Sequence, residues 1–230
     1  MKRYLIVDDN ADFAENLAEI VRDNGDEVAV ASGAVRAIEL VREQRFDALV
    51  TDMRMPVMNG AGLVHEIRRV DPGLPAIVIT AYTGDADLLA ARREGLLAVL
   101  PKPVPIDVLL FLLAASRRDS LVALVEDDSG LADNLTAALR ERGFSAVSAS
   151  SFAEIGRLGG VQPFAAVVDL RMPGSPCRAA LHLLLDRIPE LPVLVMSTHG
   201  GETDRPAWPS SLSTPFDSLK LVAAVEELWG

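Results

Sequence analysis

The chain has 230 residues, 50% hydrophobic and 24% charged, with 16 glycines and 14 prolines. That balance excludes a disordered or low-complexity protein and leaves room for one large domain or two modest ones. A formal net charge of −11 repels a phosphate backbone and supplies no basic arm, which argues against nucleic acid or anionic lipid as a direct partner. The single cysteine, Cys177, cannot close an intramolecular disulfide, and the apolar run Tyr4 to Val7 is too short for a signal-peptide core. No apolar run reaches the roughly 18 residues a membrane span needs, so the expected location is the cytoplasm, with no membrane partner.

The first strand is expected at about residues 3–7, ending in Asp8-Asp9. A helix follows, with an apolar stripe of Phe13, Leu17, Ile20 and Val21, and Gly25 as its stop. Further strands are expected at about 27–31, 46–51, 75–79 and 97–100; the third ends at Asp52, the fourth at Thr80 and the fifth at Pro101-Lys102-Pro103. Runs such as Tyr4 to Val7 and Ile77 to Ile79 lack polar alternation, as parallel strands covered on both faces should. Strands alternating with helices imply a doubly wound α/β sheet, with ligands bound beyond the carboxyl ends of its strands. The helix near 106–116 is apolar all round. Ile106, Leu109, Leu110 and Leu113 are expected to cover the sheet, leaving Val108, Phe111, Leu112 and Ala115 as an outward interface, either to the rest of the chain or to a second copy in a homodimer.

The pattern then repeats. The stretch from Val7 to Leu17 reappears from Val125 to Leu135, shifted by 118, and Asp52-Met53-Arg54-Met55-Pro56 reappears as Asp169-Leu170-Arg171-Met172-Pro173, shifted by 117. The chain therefore reads as two homologous five-stranded units, residues 1–118 and 119–230, joined near Arg117 to Ser120.

In the first unit, carboxylates at positions 8, 9 and 52 converge on one sheet edge and repel one another unless a cation neutralises them. Oxygen-only donors favour a hard ion such as Mg2+. A metal, a nucleophilic carboxylate at Asp52, a hydroxyl at Thr80 and an ammonium at Lys102 would together surround one phosphoryl group. Lysine occurs only at 2, 102 and 220, the other nineteen basic residues being arginine, so a compact ammonium at 102 stands out against the habit of the chain.

The acidic pair Asp8-Asp9, the stretch Asp52-Met53-Arg54-Met55-Pro56-Val57-Met58-Asn59-Gly60, Thr80-Ala81 and Lys102-Pro103 make the first unit resemble a receiver domain of two-component response regulators, akin to the chemotaxis response regulator and flavodoxin-like in fold. The resemblance implies that Asp52 accepts phosphate from a sensor histidine kinase or phosphotransfer protein. It also implies that Asp8, Asp9, Asp52 and the backbone carbonyl of Arg54 bind Mg2+, and that Thr80 and Lys102 grip the phosphoryl oxygens and transmit the signal. Where the family often has a switch aromatic, three residues before the lysine, this chain has Val99. Arg54 and Tyr82 occupy positions that in this family modulate self-hydrolysis.

The second unit keeps Glu126, Asp127, Asp169 and Ser197 but has Thr214-Pro215 in place of Lys102-Pro103. The spacing from hydroxyl to this position falls from 22 to 17 residues, and the shortened stretch, 200–209, carries Gly-Gly and two prolines where a helix is due. This unit reads as a degenerate pseudo-receiver whose acidic cluster could still hold a metal. His65, His182 and His199 sit in no phosphotransfer-type helical pattern.

The expected function is a phosphorylation-controlled signalling protein acting through protein contacts, with self-catalysed phosphoryl acceptance and slow loss and no other enzymatic activity. A constitutive scaffold built on receiver folds, or the N-terminal piece of a larger regulator with an output domain, are the alternatives. An acidic-nucleophile phosphatase would need a second acid at position 54, which is arginine.

Overall fold

The computed structural model describes residues 1–81, 88, 91–92, 94–156, 158, 161–170, 179–197, 210–213 and 218–229. The chain divides into two compact units, Met1–Asp119 and Ser120–Gly230.

In the first unit five parallel strands, β1 (Arg3–Val7), β2 (Glu27–Ala31), β3 (Ala48–Asp52), β4 (Ala76–Thr80) and β5 (Ala98–Pro101), lie in the order β2-β1-β3-β4-β5. The chain moves outward from β1 in one direction to β2 and in the other to β3. This flavodoxin-like order opens a crevice beyond the carboxyl ends of β1 and β3. Register puts Asp52 beside Ile79 and Thr80 beside Pro101, so Asp52, Thr80 and Lys102 reach the same edge.

Alternation along β1 divides the core between the two faces of the sheet. Leu5 and Val7 pack with residues of α2 (Ala34–Glu43) and α3 (Gly60–Val70), while Tyr4 and Ile6 pack with α1 (Ala11–Asp23) and α4 (Ile106–Ala115). The cap of α1 is Asn10, whose side chain accepts the Phe13 N–H. The helix carries Asp12 in its first turn and Arg22 in its last, each favourable to the helix dipole. Gly25, at φ 95°, ends it in the left-handed region that side chains avoid. Ile20, expected in the buried stripe, is instead exposed.

The rotation of α4 also differs from the expected one. Leu109, Leu112 and Leu113 are buried against the sheet, and Leu112, assigned above to the outward face, is only 4% exposed; Val108 and Phe111 do point outward, 41% and 54% exposed. Leu112 follows Leu109 by three residues and so shares its face. A helix with no polar side has nothing in its periodicity to fix which stripe turns inward. Its far end is held by Lys2, whose Nζ donates to the carbonyls of Leu113, Ala114 and Ser116 (3.3, 2.8 and 2.8 Å), and by the Tyr4 hydroxyl, which donates to Leu113 O.

The second unit repeats the topology. Strands β6 (Leu121–Val125), β7 (Ser145–Ala149), β8 (Ala165–Asp169), β9 (Val193–Ser197) and β10 (Ser210–Ser213) lie parallel in the order β7-β6-β8-β9-β10. Its described helices are α5 (Ser129–Glu141), the short α6 (Phe152–Ile155), α7 (Ala179–Arg187) and α8 (Ser218–Trp229). The stretch 200–209, Cys177, His199, Tyr82 and Thr214 lie outside the described residues.

Arg68, buried at the end of α3, donates to the carbonyls of Pro72, Leu74, Glu94 and Gly95 (2.6, 2.7, 3.0 and 2.5 Å). Burial draws its pKa down to about 10, partly offset by Glu94 and Asp71, so it remains cationic at neutral pH. Its planar fork ties the entry to β4 to the segment before β5. Arg68→Met should leave those carbonyls unsatisfied and cost about 3 kcal/mol, read as a fall in the urea midpoint. Arg68→Lys should recover only part of it, because a point ammonium cannot span four acceptors.

Candidate functional site

The first site is built from the ends of three strands. Asp8, directly after β1, and Asp52, last in β3, are both buried, as is Thr80, last in β4; Asp9 is exposed at the rim. Lys102 follows β5, and its backbone N–H donates to Thr80 O at 3.0 Å. Its Nζ stands 2.5 Å from Asp52 Oδ1 and 3.1 Å from Asp8 Oδ2. Each carboxylate is also steered by a backbone amide: Asn10 N–H donates to Asp8 Oδ1 at 2.9 Å, and Arg54 N–H to Asp52 Oδ2 at 2.6 Å. The Arg54 carbonyl belongs to the same short loop.

Burial alone would draw the Lys102 pKa down, but hydrogen bonds and charge from Asp52 and Asp8 together outweigh it and hold the ammonium above its ordinary 10.5. Behind Asp52 the packing is close. A Cβ on Gly60 would come 2.4 Å from the Asp52 carbonyl oxygen, so only glycine allows α3 to start there.

Phe13 belongs to this site too, though the sequence reading placed it only in a core stripe. Lys102 Nζ lies 4.5 Å from the centre of its ring, a cation–π contact. The available signal was its place, four residues after Asp9 on the first turn of a helix that begins at the acidic edge.

Asp8, Asp9, Asp52 and the Arg54 carbonyl offer only oxygen donors, which suits a hard divalent cation, although the carboxylates of Asp8, Asp9 and Asp52, expected to converge, do not all come within 4.8 Å of one another. Part of the negative charge is already met by Lys102, and the exposed Asp9 leaves the site open to solvent.

In the second unit Glu126 follows β6 and is 2% exposed, Asp127 is exposed and Asp169 ends β8. These three each place an oxygen within 4.8 Å of the others, the group of this kind found among the described residues. Asp128 N–H donates to Glu126 Oε1 at 3.0 Å, the counterpart of the Asn10 to Asp8 bond. Burial raises the Glu126 pKa, as do the charges of Asp169, Asp127 and Asp128, against the lowering effect of the Asp128 amide. Ser197 ends β9, in register with Ser213. Lys220 is exposed on α8.

A family model for the response regulator receiver domain matches residues 4–114. A response regulator receiver protein of Anaeromyxobacter sp. (strain Fw109-5) is 60% identical over 230 residues, 99% of this chain and 95% of that protein. The transcriptional regulatory protein ZraR of Escherichia coli (strain K12) is 36% identical over 103 residues, 45% of this chain and 23% of that protein, so the chain spans less than a quarter of that regulator. Among solved structures, chemotaxis protein CheY4 of Vibrio cholerae is 28% identical, covering 50% of this chain and 97% of that one, with a TM-score of 0.47. The receiver domain of sensor histidine kinase PA1611 of Pseudomonas aeruginosa PAO1, solved with a magnesium ion in its active site cleft, is 27% identical, covering 49% and 93%, with a TM-score of 0.46.

Lys102→Met should leave Asp8 and Asp52 buried side by side without their cation and cost about 2 kcal/mol at neutral pH. Because the folded pKa is raised above the ordinary 10.5, the lysine's contribution is fully present below that unfolded value and lost as pH climbs through the folded one. Stability curves of wild type and variant should therefore run parallel through neutrality and converge only in strong alkali.

Proposed function

The chain belongs to the response regulator family of two-component signal transduction, and on that premise we propose that Asp52 is its phosphoacceptor. The observation that carries the reading is the pairing of Lys102 with Asp52 Oδ1 and Asp8 Oδ2, which places an ammonium where a phosphoryl group on Asp52 would develop charge. The donor is a phosphohistidine of a sensor histidine kinase or phosphotransfer protein. A carboxylate oxygen of Asp52 attacks phosphorus as the P–N bond breaks; an acyl phosphate forms, and the released imidazole nitrogen takes a proton. Lys102 then exchanges its contact with Asp52 Oδ1 for a phosphoryl oxygen, and the Thr80 hydroxyl donates to another.

Asp8, Asp9, Asp52 and the Arg54 carbonyl would hold Mg2+, which when bound offsets the charge of carboxylates and phosphoryl oxygens. No hydrolytic turnover of other substrates is assigned. A donor that itself depends on ATP places the reaction in the cytoplasm, and no described helix is long and apolar enough to cross a membrane.

The second unit, with the same strand order, is read as a pseudo-receiver. Glu126, Asp127 and Asp169 repeat the acidic cluster, and Ser197 and Thr214 take the hydroxyl and lysine positions in sequence, but without an ammonium at Thr214 a phosphoryl group loses a charge-assisted contact worth about 1.5 to 3 kcal/mol. Signal output is assigned to protein contact through the exposed Val108 and Phe111 on α4, with a second copy of the chain as one partner.

With acetyl phosphate and Mg2+, intact-mass and peptide spectra should show phosphate on Asp52, none on Asp169 and none anywhere in Asp52→Ala. Labelling of Asp169 to the level of Asp52 would refute the pseudo-receiver assignment. Phe111→Glu should lower the sedimentation coefficient of the phosphorylated protein while leaving its extent of labelling unchanged.

A further inference from the structure

Four contacts close a circuit at the first unit's active edge. The Asn10 N–H donates to Asp8 Oδ1 at 2.9 Å, and the Asn10 side-chain oxygen in turn accepts the Phe13 N–H at 3.0 Å. The Phe13 ring centre lies 4.5 Å from Lys102 Nζ, and that ammonium returns to Asp8 through Oδ2 at 3.1 Å. The cap that starts α1 therefore also sets the ring against the cation. An ammonium has three N–H donors and no acceptor, and here Asp52 Oδ1, Asp8 Oδ2 and the ring all stand around it.

We propose that Phe13 is a positioning residue for phosphoryl transfer to Asp52: its ring and Asp8 form a seat on which the Lys102 ammonium stays while it exchanges Asp52 Oδ1 for a phosphoryl oxygen. The proposal rests on Asp52 being the phosphoacceptor and adds how the cation is kept at hand. One contact changes and two persist, so the charge is not recaptured from solvent when the phosphoryl group arrives. A ring suits that task because its quadrupole attracts the cation, yet it carries no net charge to repel an incoming phosphoryl group, as a further carboxylate there would.

The second unit shows that packing does not require the ring. Its buried acid, steering amide and cap are kept: the Asp128 N–H donates to Glu126 Oε1, and the Asp128 side chain accepts the Leu131 N–H, both at 3.0 Å. Leu131 stands 118 residues after Phe13 in the repeat, and both are half-buried against the core that their helix shares with the sheet. A leucine thus fills the position in the unit that has threonine in place of the lysine, and the aromatic goes with the ammonium. Lys102 leaves 30% of its side chain exposed, so without the ring water would take the face it covers.

The test replaces Phe13 in the full chain by phenylalanines carrying one, two or three ring fluorines, which drain the π face while nearly keeping its shape. With acetyl phosphate and Mg2+, the rate of Asp52 labelling should fall stepwise with each fluorine, to roughly a fifth at three. Phe13→Leu should match the trifluorinated ring, and Phe13→Tyr should hold the wild-type rate. Thermal unfolding supplies a readout that needs no phosphate: each fluorine should lower the melting temperature of the wild-type chain and leave that of Lys102→Met unmoved. A labelling rate indifferent to fluorination, or a fluorine effect on stability that survives in Lys102→Met, would overturn the proposal while leaving Asp52 as the acceptor. No labelling of Asp52 even with the native ring would instead remove the acceptor reading, and this proposal with it.

Discussion

The ammonium of Lys102 holds the first unit's active edge together. Asp8 and Asp52 leave β1 and β3 as buried carboxylates on adjacent strands, an arrangement that repels itself in a poorly solvated crevice. One lysine from the end of β5 bridges both, and the Thr80 carbonyl accepts its backbone N–H. The ends of β1, β3, β4 and β5 are thus tied at one point, and that point is where a new anion on Asp52 would compete for the same charge. Whatever draws the ammonium from Asp52 therefore also loosens the strand ends it joins, which under the proposed phosphorylation of Asp52 would couple chemistry to stability.

The second unit shows how much of this edge can change while the fold stays. Strand order, the helix cap after the acidic pair and the amide that steers the buried acid are all retained. Among the parts that differ are the lysine itself and the ring that faces it in the first unit, Lys102 and Phe13, replaced in sequence by Thr214 and Leu131. Loss of the pair together has a physical logic: the ring is useful there as a negative face for a cation, and without the cation a leucine packs as well. The scaffold constrains the sheet, whereas the cation's seat is a removable module set upon it.

Much of this was legible in the sequence because parallel strands covered on both faces have a plain signature. Tyr4 to Val7, Leu49 to Thr51 and Ile77 to Ile79 are short, unalternated and followed by a polar residue, and the structure places strands over each of them. The shifted repeat likewise predicted a second sheet. What failed was rotation. Periodicity assigns a helix face only where a polar face opposes it, and α4 has none, so the pattern alone turns Leu112 outward while the packing turns it inward. The pattern shows Phe13 only as core because its contact with Lys102 spans elements that lie far apart in sequence.

In a chain that otherwise uses arginine, the rarity of lysine marked position 102 but applies equally to Lys2. There the ammonium points its three donors at three carbonyls around the end of α4, a cluster that a planar guanidinium would meet edge-on and incompletely. Lys102 likewise serves two carboxylates and a ring face within one small radius. Arg68, by comparison, spans four carbonyls spread over two loops, a task for a wide fork. Each cation therefore matches the shape of its acceptors. By that criterion α4 is clamped at its C-terminal end by Lys2 and joined at its N-terminal end, through Pro103 to Pro105, to the lysine that pairs with Asp52. The two lysines thus stand at opposite ends of one helix, Lys2 on the carbonyls that close it and Lys102 on the short segment that leads into it.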